Sequence, residues 1–150
     1  MDDRRRNRAA RRQAAILAVC VVALAVAAAA FLRQPADENE LKIPIAELRS
    51  QSAELDVLDR ALARGLAGRF AQAHAGQLAQ TVDRSRDELT SLKTPERLSE
   101  QRADALRLSS PLVTASAALH EGRAPLAAST SAQVVASGAA LQAIEERLRR

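Results

Sequence analysis

The stretch PIAELRSQSAELDVLDRALARGLAGRF, Pro44 to Phe70, decides the fold. Ile45, Leu48, Leu55, Leu58, Leu62, Leu66 and Phe70 recur at three- and four-residue intervals, which places them on one stripe of an α-helix. The one step of seven, from Leu48 to Leu55, is bridged by polar Gln51 and Ser52. Pro44 suits the first turn, where a missing N–H costs nothing. Gly65, Gly68 and Gly76 weaken the continuation, so the helix is expected to bend or end near Ala75.

The same stretch belongs to a longer heptad, Leu41, Leu48, Leu55 and Leu62. It reads either as an ordinary intrachain core stripe or as a contact face for the same helix of a neighbouring subunit. A continuous coiled coil is disfavoured, because the leucine spacing slips phase and glycines and prolines interrupt it.

Downstream, Leu78, Val82, Leu89 and Leu92 carry the periodicity to about Lys93. Thr94-Pro95-Glu96 marks a boundary: a threonine cap, proline at the first helical position and an acid at the positive helix end. The next helix runs through Leu98, Ala105 and Leu106. At Ser110-Pro111 it either kinks or restarts, with continuity preferred because Leu112, Ala115 and Leu119 extend the apolar face. Gly122 and Pro125 stop it and allow a restart, and a last helix continues through Val134, Leu141, Ile144 and Leu148. Short connections and the scarcity of β-branched runs favour a three- or four-helix antiparallel bundle. Low aliphatic content, with alanine making up the difference, points to a slender bundle of modest stability.

Toward the N-terminus the pattern changes. Ala14 to Leu32 is an uncharged aliphatic run whose nineteen residues, at about 1.5 Å each, span roughly 28 Å, close to a bilayer core. Ala23 and Ala27 are small residues four apart, a candidate face for a second membrane helix. Arg4, Arg5, Arg6, Arg8, Arg11 and Arg12 precede the run, and with Asp2 and Asp3 give the tail the entire net charge of +4. Arginines beside a membrane segment specify a cytoplasmic side and meet anionic lipid headgroups. The expected architecture is therefore all-α: a single N-terminal transmembrane helix followed by the bundle. Residues 1–13 form a basic cytoplasmic tail, 14–32 the membrane helix, 33–43 a juxtamembrane linker and 44–150 an extracytoplasmic helical domain. Retention of the apolar run as an anchor is preferred to its cleavage as a signal peptide, because the run and the region before it are both long. Cys20, the one cysteine, reads as a small buried hydrophobe and excludes an internal disulfide framework.

The chemistry-bearing residues are sparse. His74 and His120 are the only histidines, and neither sits in a metal-ligand spacing. The acids Glu47, Glu54, Asp56 and Asp59, and the group Asp83, Asp87 and Glu88, lack calcium-loop alternation and read as helix-surface charges, Asp56 pairing with Arg60. No phosphate-cradling glycine loop or serine elbow occurs. From Arg33 onward the charges balance, Tyr and Trp are absent, and Phe31 and Phe70 are the only aromatics, which argues against nucleic acid. No enzyme, metal or cofactor is expected.

The layout resembles that of bitopic bacterial inner-membrane proteins with periplasmic helical domains, in architecture alone and in no motif. It implies a membrane-anchored structural or accessory subunit of an envelope complex, N-terminus cytoplasmic and C-terminal domain periplasmic or extracellular, with a membrane protein or a second copy as partner. The alternatives are an extracytoplasmic sensor or regulatory ligand-binding module, and a secreted helical binding protein released by cleavage.

Overall fold

A computed structural model describes residues 21–27, 36–65 and 68–150. All regular structure among them is helical: α1 (residues 21–27), α2 (Glu38–Ala63), α3 (Gly68–Ser91), α4 (Glu96–His120) and α5 (Ala128–Arg147). The chain divides into two units, Met1–Gln34, which contains α1, and Pro35–Arg150, which contains the other four helices.

The membrane architecture is corrected. Among the described residues no helix is long and apolar enough to cross a membrane. A spanning helix must satisfy its backbone internally over about 20 consecutive residues, and the described part of α1 is residues 21–27. The single-pass topology, the inner-membrane location and the membrane-anchored function built on it are thereby overturned. The remainder of the expected span and the arginine tail lie outside the described residues.

The second unit is a four-helix bundle. α2 packs against α3 and α5, α4 packs against the same two helices, and α2 and α4 also touch. Its first helix starts earlier than Pro44. Asp37 caps it: Glu40 N–H donates to Asp37 Oδ1 at 2.8 Å, and Asp37 N–H donates to Glu40 Oε2 at 3.3 Å. Pro44 thus lies inside the helix, buried, at the loss of one helical hydrogen bond. The helix ends at Ala63, well before Ala75, because Gly65 takes φ +92°, a left-handed conformation that reverses the chain. Gly76 is instead an interior residue of α3, beneath the His120 ring.

α4 runs unbroken through Pro111, as the continuity of its apolar face anticipated. The expected threonine cap is displaced by one residue: Pro95 is the N-cap and makes no side-chain capping bond. Gly122, at φ +77°, closes the helix, and Arg123 N–H donates to the Ala118 carbonyl at 2.9 Å.

The core is aliphatic and small. Leu41, Ile45, Leu48 and Leu55 of α2 are fully buried with Val82 and Leu89 of α3, Leu112 and Leu119 of α4, and Leu141 and Ile144 of α5. Small residues let α2 and α5 approach: a Cβ placed on Gly138 would lie 2.5 Å from Ser52 Oγ. That hydroxyl donates to the Val134 carbonyl at 2.8 Å, so it is satisfied within the seam. The stripe fails at its far end. Phe70 stands 65% exposed on α3, because the break at Gly65 takes it out of the phase set by α2.

Candidate interaction face

The buried side of α2 leaves its opposite side open. Ile43, Ala46, Ser50, Ala53 and Val57 recur at steps of three and four about half a turn away from Leu48 and Leu55. Ile43 is 61% exposed and Val57 62%. A groove runs on each side of this crest, and Ser50 and Ala53 line both.

The α2–α3 groove is the apolar one. Ser50, Ala53, Glu54, Val57, Leu58 and Ala61 of α2 face Phe70 and His74 of α3 around about 390 Å³. The Phe70 and His74 rings stack at 6.3 Å between centroids and 16° between planes. His74 Nε2 lies 3.7 Å from Glu54 Oε2, so one carboxylate and one imidazole form the polar end of an otherwise hydrocarbon surface. Phe70 reaches this position because Gly65 ends α2 and the next helix folds back antiparallel. That turn sets Ser85 opposite Glu47, whose Oε2 accepts from its hydroxyl at 2.8 Å.

The α2–α5 groove, of about 460 Å³, is more polar and includes Arg49, Asp56, Gly138 and Gln142. Behind it lies a buried carboxylate: Glu145 Oε2 is 3.4 Å from Arg49 Nε, and Glu145 Oε1 accepts from Arg149. The Arg49 contact joins the end of α5 to α2, and Glu145 Oε2 is buried without a hydrogen bond.

The leucine heptad, which reads either as a core stripe or as a contact face, lies in the core. Leu41, Leu48 and Leu55 are fully buried and Leu62 partly so, so in this fold the heptad holds the chain's own helices together. Ala23 and Ala27 lie in α1 and are exposed. Arg4, Arg5, Arg6, Arg8, Arg11 and Arg12 lie outside the described residues.

The histidines do not converge. His74 faces Glu54, whereas His120 Nδ1 is 3.0 Å from the Gln72 carbonyl, to which it donates in the matching tautomer. Among the described residues no three His, Cys, Asp or Glu side chains are grouped to hold a metal ion. The acids divide by use. Asp56 pairs with Arg60 on the surface, Asp83 and Asp87 are exposed, and Asp59 is buried and accepts the Leu126 N–H at 2.8 Å.

The open crest escapes a reading that follows the leucines. Its signal is a second, weaker three–four pattern on the same helix, diluted by alanine and serine. Together the fold and the face define an all-α helical bundle with an open apolar groove beside one helix. No family model, curated protein or solved structure matches the chain.

Proposed function

We propose that the Pro35–Arg150 bundle is a binding module that works by docking a helix or apolar segment of a protein onto the crest of α2 and the α2–α3 groove. The observation that carries this reading is the side-by-side exposure of Val57 and Phe70, on two helices whose inward faces already fill a core. Isolated exposed apolar residues are ordinary. A contiguous apolar groove with a polar rim is the usual form of a docking surface. Its shallow, open form suits a side-on helix better than an enclosed small molecule. The role is binding rather than catalysis, and the balanced charge from Arg33 onward supports a protein partner over nucleic acid.

The test is site-specific photo-crosslinking of the full chain in its own cells, with the probe at Val57 and a control probe at exposed Gln133 of α5. Docking predicts a discrete protein adduct from position 57 that is absent from position 133. Equal labelling at both positions would refute the reading.

A further inference from the structure

The charges bordering the crest point to what covers it. With Ile43, Ser50 and Val57 taken as heptad position a, Ala46 and Ala53 fall at d. Lys42 and Arg49 then occupy g, and Glu47 and Glu54 occupy e. One edge of the crest is therefore basic at Lys42 and Arg49 and the other acidic at Glu47 and Glu54, while Asp56, the next g residue, faces Ala61 at e and adds no pair.

This arrangement matches itself best in the parallel orientation. When two such helices lie parallel, each g residue faces the e residue five positions on in its partner. Lys42 then meets Glu47 of the second copy, and Arg49 meets its Glu54, each pairing occurring twice by symmetry. An antiparallel arrangement sets e against e and g against g, which opposes the acids Glu47 and Glu54 to one another and leaves a g edge of mixed sign, with Lys42, Arg49 and Asp56. The crest carries a second mark of the same geometry. Ile43 and Val57 are β-branched residues at a, as in parallel two-stranded coils, with alanine in place of leucine at d. Alanines at d allow the two backbones to come close. The seam ends after Val57, where Arg60 and Arg64 would take the next d and a positions and repel their copies.

We infer that the occupant of the α2 crest is a second copy of this chain, bound in parallel through Ile43, Ala46, Ser50, Ala53 and Val57. This rests on the proposal that the crest is a docking face, and it names the partner. The flanking charges stay within reach in the folded chain. Arg49 is 43% exposed beside Glu145, with its terminal guanidinium nitrogens outside that Nε contact, and Glu54 is 47% exposed beside His74. Glu47 holds Ser85 through one carboxylate oxygen. The exposed apolar seam spans only Ile43 to Val57, so the dimer is of modest affinity and depends on concentration.

The experiment uses the purified full chain with Cys20→Ser, in two formats. Sedimentation equilibrium over a concentration series should show a reversible monomer–dimer system. Val57→Asp should weaken it by at least about tenfold while leaving the far-ultraviolet circular dichroism unchanged. Lys42→Glu should weaken it roughly threefold to tenfold, and the double reversal K42E/E47K should restore it. Ala53→Cys under mild oxidation should give a disulfide dimer linked 53 to 53, as parallel d positions require. A chain that remains monomeric throughout, or one whose dimer resists both Val57→Asp and 53–53 linkage, overturns the inference. If that monomer still crosslinks from Val57 to a different protein in cells, the docking face stands and only the identity of its partner is wrong.

Discussion

Gly138→Ala tests the seam between α2 and α5 at its tightest point. The added methyl would lie 2.5 Å from Ser52 Oγ and 3.2 Å from Ser52 Cβ. Such contacts force either the helices apart or the serine into another rotamer. Overpacking of this kind costs about 1–3 kcal/mol. A serine that swings away also gives up its bond to the Val134 carbonyl, about 1 kcal/mol for a satisfied buried hydroxyl. Against this, alanine is better than glycine inside a helix by about 1 kcal/mol. The expected net loss is about 1–3 kcal/mol. For a bundle of this size, each kcal/mol lowers the midpoint of thermal unfolding by roughly 3–6 °C. Urea unfolding followed by circular dichroism measures it, with an unchanged denaturant slope indicating a folded-state effect. Two companions sharpen the result. Gly68→Ala, where an added methyl meets nothing within 4 Å, should be neutral or slightly stabilising. Ser52→Ala combined with Gly138→Ala should recover part of the loss, since the hydroxyl contact is gone and only the 3.2 Å carbon contact remains. If Gly138→Ala is as stable as the parent, the close approach of α2 and α5 argued from Ser52 is wrong.

Two further outcomes bear on the division of α2 into a core side and an open side. Leu48→Ala should destabilise the bundle by about 2–5 kcal/mol, because the residue is fully buried, whereas Phe70→Ala should change stability by less than about 1 kcal/mol and act on association instead. Parallel urea titrations and sedimentation separate the two effects, and an unstable Phe70→Ala bundle would mean that the ring belongs to the core. Asp59→Ala should cost about 1–3 kcal/mol and expose the amide of Leu126, whose N–H it accepts. Hydrogen exchange reads this directly: unchanged protection at Leu126 would show that the carboxylate does not hold the α4–α5 connection.

The helical character of the chain was legible because hydrophobic spacing is a local property. Leu48, Leu55, Leu112 and Leu141 could be assigned to the interior from periodicity alone, and all are fully buried. Punctuation was legible where one residue carries it, as at Gly122. It failed where several candidates competed. Gly65, Gly68 and Gly76 look alike in sequence, yet only Gly65 takes a positive φ, and Gly76 is interior because a histidine from another helix lies over it. The start at Asp37 was missed because Pro44 is a conspicuous first-turn residue, while the Asp37–Glu40 box is an ordinary pair of acids until its bonds are seen. The apolar run before Arg33 invited a membrane helix from composition and length, whereas among the described residues no helix is long and apolar enough to cross a membrane. Asp59 reads as one more surface acid, and only the loop that folds back onto it makes it a buried acceptor.

By itself, then, the sequence determined an all-α chain with an aliphatic core stripe and a net-neutral region from Arg33 onward. These follow from composition and from the 3.6-residue period, which each segment expresses on its own. Tertiary structure decided which side of α2 is inside. It settled the leucine heptad as core between its two readings, left Ile43 and Val57 outside, and set Phe70 beside them. The physical reason is that exposure is a relation between helices: a residue's phase on its own helix says which neighbours share its face, but only packing against α3, α4 and α5 says which face meets water.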